Sequence, residues 1–159
     1  MCGRYTLFTD EEYQDIRKII RAVQEKGHEV KTGEIYPTNP APILVWEGKE
    51  TVPQAVKWGW PKFQGSGVLI NARAETAKEK NLFRKSVYTR RCVVPTTGFY
   101  EWDQEKAKYR FILPHASTLY LAGLYNEFQG ERRFLILTTE ANASVSFIPV
   151  SYTHLRAHE

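Results

Sequence analysis

The chain has 159 residues, 42% of them hydrophobic and 25% charged, which suits one globular domain with a real core and excludes a disordered chain. No apolar run approaches the roughly 20 residues a membrane helix needs, and no secretory leader is expected before the first charges. The net charge of +4 is unevenly spread: seven cations stand against two acids between Asn71 and Cys92, and the remainder of the chain nets −1. That concentration fits either a polyanion site or a solvated helix face.

Taken in chain order, the first periodic segment starts at Thr9. Thr9 and Glu12 have capping-box spacing, Tyr13, Ile16, Ile19, Ile20 and Val23 fall on one helical face, and Gly27 supplies a stop. The proline-interrupted stretch EIYPTNPAP (34–42) is expected to be a loop. ILVW and TVPQAVKWGW predict two strands around the polar turn EGKE, VLINAR a short strand, and ETAKEKNLFRK a basic helix. RCVVPTTGFYEW, YRFIL, TLYLAGLYNEF and RRFLILTT are strand-like runs rich in β-branched and aromatic residues. The expected class is α+β: a mainly antiparallel, barrel-like sheet with a few peripheral helices. One domain is expected over 1–150, while 151–159 (SYTHLRAHE) has neither a strand nor a core-helix pattern and is expected to be a foreign tail.

The opening MCGRYTLF places Cys2 behind the initiator Met1, a small residue whose preceding methionine is readily removed. An N-terminal cysteine carries an amine and a thiol with pKa values of about 7.7–8.0 and 8.5, both nucleophilic near neutrality. Together they form a 1,2-aminothiol, which condenses with an aldehyde to an imine that the sulfur closes into a thiazolidine. The plain alternative is a buried terminal cysteine acting as a small hydrophobe. INARAET places the amide of Asn71 beside Arg73, a planar donor suited to phosphate. In GFYEW, Glu101 lies within an aromatic run, where desolvation would raise its pKa and suit it to proton transfer; a solvent-facing strand position is the other reading. Trp58 and Trp60 of KWGW either stack on bases or pack in the core. Cys2 and Cys92 are the only cysteines and read as reduced thiols. With four scattered histidines they offer no metal-ligand spacing, and no phosphate loop or nucleotide fingerprint is present, so neither metal nor cofactor is expected.

Together MCGRYTLF, YPTNPAP, VKWGW, INARAET, FRKSV, RRCVVPTTGFYEW, LAGLYNEF and ILTTEANASV resemble, in family order and over nearly the whole chain, the SRAP family, whose members process abasic DNA sites. The resemblance implies the SRAP fold and a covalent trap. After loss of Met1, Cys2 would capture the aldehyde of an abasic deoxyribose in single-stranded DNA as a thiazolidine crosslink that protects the lesion. It implies that Asn71 positions the opened sugar and that Glu101 moves protons. Gly3 would let the sugar approach the backbone, Arg4 and Arg73 would hold flanking phosphates, and Asn39 would lie near the lesion. Arg84 and Lys85, with Trp58 and Trp60, would line the strand's path. It further implies a monomeric, cytosolic, nucleoid-associated bacterial protein acting without metal or membrane.

The family also carries a histidine in a His-Asp-Arg-Met-Pro-like motif after the ANASV region. Here VSFIPV (145–150) occupies that place, and the role is not transferred to His154 or His158 of the tail. The family's C-terminal portion is expected to be missing from this chain. Two other functions fit parts of the pattern: a thiol-dependent peptidase acting on its own N-terminus through Cys2 and Glu101, and a non-catalytic single-strand DNA binder using the basic segment.

Overall fold

The computed structural model describes residues 3–140 and the backbone of 152–154. Met1, Cys2, the VSFIPV segment and the rest of the tail lie outside the described residues. In chain order the elements are β1 (Tyr5–Leu7), α1 (Gln14–Glu25), β2 (Gly33–Ile35), β3 (Pro40–Glu47) and β4 (Glu50–Trp58). The short strands β5 (Trp60–Pro61), β6 (Val68–Leu69) and β7 (Asn71–Arg73) lead into α2 (Ala74–Ala77) and α3 (Asn81–Thr89). They are followed by β8 (Arg91–Thr96), β9 (Gly98–Trp102), β10 (Lys108–Phe111), β11 (Leu119–Phe128), β12 (Glu131–Glu140) and β13 (Tyr152–His154).

Five strands close a barrel in the order β11-β8-β3-β4-β12, shut by pairing of β11 with β12. Its pairings are antiparallel except β4 with β12, where Lys57 meets Arg133 and Trp58 meets Phe134 in parallel register. Closure removes the exposed edges that an open sheet would present. β7 joins β12 in parallel, with Asn71 beside Ile136, and β13 extends β12 on the far side, a strand where the tail was expected to have none. A second, antiparallel sheet, β10-β9-β1-β2, lies beside the barrel. The result is the α+β, barrel-like architecture read from the strand-rich sequence.

Local expectations shift: the expected basic helix ETAKEKNLFRK is two helices, α2 and α3, and the expected strand TVPQAVKWGW is two, β4 and β5. The helix starts at Gln14, not Thr9: Asp10 to Tyr13 closes as a turn, with the Tyr13 N–H donating to the Asp10 carbonyl at 3.0 Å, and the Tyr13 ring enters the core. The 34–42 stretch is not all loop, because Pro40 and Pro42 belong to β3. Asn39 and Trp58 pair through the Trp58 N–H at 3.1 Å, so residues 40 and 42 turn their nitrogens away from β4. β8 pairs β3 only at Leu44 and Val45, so no ladder bond is lost to the prolines. The RCVVPTTGFYEW run is two strands, broken at Thr97-Gly98 as the chain passes from the barrel to the second sheet.

That corner positions the site. Gly98 has φ +153, and a Cβ there would lie 2.8 Å from the Phe111 carbonyl oxygen and 2.9 Å from Ile112 Cγ2, so only glycine fits. Buried hydroxyls pin β1 to it. Thr96 Oγ1 sits 2.7 Å from the carbonyls of both Thr6 and Gly98, and Thr6 Oγ1 lies 2.8 Å from Thr97 Oγ1. Each such satisfied bond contributes about 1 kcal/mol. The main core, inside the barrel and beneath β1 and β9, gathers Tyr5, Leu7, Ile16, Ile43, Trp58, Phe99, Leu121 and Phe134. A smaller core of Trp60, Ala72, Phe83, Leu124 and Leu135 lies under α3.

Candidate functional site

β1 and β9 run antiparallel, with Tyr5 opposite Phe99 and Thr6 opposite Gly98, and the Tyr100 N–H donates to the Arg4 carbonyl at 3.0 Å. Continued by two residues, this register sets Gly3 opposite Glu101. On its other side Gly3 approaches Ile70, whose Cδ1 lies 3.9 Å from where a Cβ would stand. Ile70 is fixed in turn: its carbonyl accepts the Trp58 indole N–H at 3.2 Å and the Ile136 N–H at 3.0 Å. Asn71 follows directly at the head of β7. The fold therefore sets Gly3 opposite Glu101, with Ile70, the residue before Asn71, beside it. Cys2, one peptide bond before Gly3, lies outside the described residues.

Strand alternation decides what Glu101 does. Phe99 and Glu101 point inward, Tyr100 and Trp102 outward, so the carboxylate occupies a core-facing position and is only 2% exposed. Burial disfavours its charged form and pushes its pKa up to about 7. A carboxyl with that value exchanges protons readily near neutral pH. Asn71 is also buried, 7% exposed, and the neighbouring Arg73 is exposed. Asn39 closes the turn after β2: its Oδ1 accepts the Tyr36 N–H at 2.9 Å.

The outward face of the second sheet carries a cluster that sequence reasoning missed. The Arg4 guanidinium lies 4.4 Å from the Tyr36 ring centre and 5.3 Å from that of Trp102, while Lys108 Nζ lies 3.9 Å above Tyr100. Glu34 ties them together, its carboxylate accepting from Arg4 at 3.4 Å, Lys108 at 3.2 Å and the Tyr36 hydroxyl at 2.9 Å. The Tyr36 and Lys108 hydrogen bonds hold the Glu34 carboxyl below its ordinary pKa. The available signal was the alternation in GFYEW, which puts Tyr100 and Trp102 on the face opposite Glu101. Nothing local announces Glu34 and Lys108, which are 74 residues apart.

A family model described as SOS response associated peptidase (SRAP) matches residues 1–151. The chain belongs to the SRAP family. The abasic site processing protein YoqW of Bacillus subtilis strain 168 is 33% identical to it over 162 aligned positions, covering 89% of this chain and 70% of that protein. The abasic site processing protein YoaM of the same organism is 29% identical over all of this chain and 76% of its own length. Among solved structures, a Bacteroides thetaiotaomicron protein superposes with a TM-score of 0.75 at 23% identity, covering 98% of this chain and 76% of that one. A Bordetella bronchiseptica protein gives 0.74 at 20% identity, covering 98% and 83%. These last two share the fold.

In this SRAP chain the tryptophan pair is not a stacking surface. Trp58 and Trp60 are both 0% exposed. Trp58 packs edge-on against Tyr5 at 5.1 Å and stacks with Phe134 at 6.4 Å, while Trp60 sits between Phe83 and Phe128 and donates its indole N–H to the Arg133 carbonyl at 3.0 Å. Rings enclosed in this way offer no face to a base, which corrects the expectation that they line a strand's path. Arg84 and Lys85 are exposed on α3, and the Arg84 guanidinium donates to the Glu79 carbonyl and the Asn81 side chain. Six of the seven cations between Asn71 and Cys92 are exposed; the seventh, Arg90, is half-buried against Ser86 Oγ. Cys92 is buried, and burial pushes its thiol far above the ordinary value, leaving it unreactive. Among the described residues no group of His, Cys, Asp and Glu is placed to hold a metal, and no helix is long and apolar enough to cross a membrane.

Proposed function

We propose that this protein processes abasic sites in single-stranded DNA by covalent capture through Cys2 after removal of Met1. The observation that carries the reading is the buried carboxyl of Glu101, with a pKa of about 7, opposite Gly3, the residue next to Cys2, when the β1–β9 register is continued. The chemistry balances without a cofactor. The Cys2 amine adds to the ring-opened C1 aldehyde, and water leaves to give an imine. The thiol then adds across the carbon–nitrogen double bond, forming the carbon–sulfur bond while its proton passes to nitrogen. Glu101 in its protonated form supplies the proton that the departing hydroxyl needs, and as carboxylate it takes one from the attacking group. Asn71 positions the opened sugar, Gly3 admits it to the backbone, and Arg4 and Arg73 hold flanking phosphates. The SRAP membership and the abasic-site names of the Bacillus relatives support this reading.

The test is incubation with a single-stranded oligonucleotide bearing one abasic site, read by denaturing gel and intact mass. The expected result is a denaturation-resistant adduct weighing the sum of protein without Met1 and DNA, less one water, absent in Cys2→Ala. An adduct that persists in Cys2→Ala would refute capture through Cys2, and salt-sensitive binding with no adduct would refute covalent capture. Cleavage of a peptide extension placed before Cys2, lost in Glu101→Gln and without any DNA adduct, would replace it with a peptidase.

A further inference from the structure

A pocket of about 300 Å³ opens beside α1, lined by Thr9, Arg17, Ile20, Arg21, Gln24 and Thr32. The β1–β2 register, with Leu7 opposite Gly33, brings Thr9 and Thr32 to the same end of that strand pair. Within α1, Arg17, Arg21 and Gln24 follow at helical spacing and share one stripe. Ile20, 5% exposed, gives the pocket an apolar floor, and no lining residue is acidic. Arg17 and Arg21 stand one turn apart, a spacing at which like charges repel. Among the described residues neither guanidinium makes an ion pair, a hydrogen bond or a ring contact, whereas Arg4, Arg132 and Arg133 each pair with a glutamate. Two uncompensated cations therefore line one concave, acid-free surface.

We propose that this pocket is a binding site for a phosphate monoester, separate from the site at Gly3 and Glu101. Two guanidinium forks call for a ligand with two charges, and an ester phosphate carries nearly −2 at neutral pH on three terminal oxygens. A carboxylate brings one charge and two oxygens, which a single arginine satisfies. The Thr9 and Thr32 hydroxyls and the Gln24 amide supply neutral donors for the remaining oxygen. The volume lies at the small end of ligand pockets, with room over Ile20 for a short carbon chain. Gly3 and Thr9 flank opposite ends of β1, up to about 20 Å apart along an extended chain, so the pocket fills without occupying the first site. The same chemistry is offered by a small phosphorylated metabolite and by the terminal phosphate of a DNA strand.

The experiment is calorimetric titration of the whole chain with glycerol 3-phosphate, and with glycerol as the neutral control, in low-salt buffer free of phosphate and sulfate. One saturable site for the ester and none for glycerol is expected. Arg17→Gln and Arg21→Gln should each weaken the ester roughly 5- to 15-fold, between the worth of an exposed ion pair and that of a charge-assisted hydrogen bond. Lys18→Gln removes the same charge from an exposed position of the same helix and should leave binding unchanged. Fluorescence anisotropy with one lesion-free strand, bearing either a 5′-phosphate or a 5′-hydroxyl, separates the two sources. Tighter binding of the phosphorylated strand, lost in Arg21→Gln, assigns the pocket to a strand end; equal binding of the two strands, with the ester site intact, assigns it to a metabolite. A wild type that neither binds the ester nor prefers the phosphorylated strand overturns the inference. So does binding that survives both arginine substitutions, or that weakens equally in Lys18→Gln, which is diffuse attraction. Capture of abasic DNA by Cys2 is read in a different assay, so either reading can fail while the other stands.

Discussion

Replacing Glu101 with glutamine should make the protein more stable and less active, and the size of the stability gain follows from its burial. The carboxyl has an ordinary value of 4.5 and titrates near 7 in the fold. Between those two pH values the folded chain holds a proton that the unfolded chain has released. Stability therefore falls as pH rises through this window: the carboxyl's contribution is fully present below about 4.5 and lost above about 7. At about 1.36 kcal/mol per pH unit, the loss is on the order of 3 kcal/mol. Glutamine stays neutral in both states and escapes it. The stability difference between Glu101→Gln and the wild type should thus grow by about that amount from pH 4.5 to pH 8. In thermal unfolding this corresponds to a relative rise of roughly 6–12 °C for a chain of this size. Urea unfolding of both proteins at half-unit pH intervals measures it. A difference that stays flat from pH 4.5 to 8 would refute the claim that burial governs this carboxylate. The same variant should slow adduct formation roughly 100- to 10,000-fold, the usual worth of a positioned acid–base group.

Three further outcomes test the fold and the site. Gly98→Ala should destabilise the protein by about 1–3 kcal/mol in chemical denaturation, because its Cβ meets the Phe111 carbonyl at the corner that holds β1 against β9. Trp60→Ala should cost about 3–5 kcal/mol as a core cavity while leaving the salt slope of single-strand binding unchanged; a loss of DNA affinity without destabilisation would reinstate it as a stacking residue. Cys92 should react with a maleimide only after unfolding, read by mass spectrometry of native and denatured protein, since rapid native labelling would contradict its enclosure against Gly123.

Much of the architecture was legible because the signals are local. The amphipathic spacing of Ile16, Ile20 and Val23 places α1 and its buried face, and Gly27, with φ +81, ends it. The β-branched runs give β8, β11 and β12, and Gln129-Gly130, both with positive φ, supplies the two-residue turn between the last two. The start of α1 was misread because Thr9–Glu12 has capping spacing, while burial of Tyr13 favours a turn before the helix. The prolines of EIYPTNPAP were misread because a missing N–H forbids a strand only where a neighbour needs that donor, and the neighbour's extent is not a local property.

For the candidate site, residue types and order along the chain are enough to name the family and to propose Cys2, Asn71 and Glu101, since a chemical group is identified by the residue that carries it. Orientation is different. Trp58 and Glu101 both sit in strands among aromatics, and either could have faced water. The closed barrel and the second sheet enclose both, which removes the tryptophan as a stacking surface and raises the carboxyl toward neutrality. Likewise Arg4, Glu34 and Lys108 meet only because β1, β2, β9 and β10 pair in one register. Periodicity and turn chemistry act over a few residues and are written in the sequence, whereas desolvation and charge pairing depend on which distant segments come to cover a side chain, and that is decided by the tertiary structure.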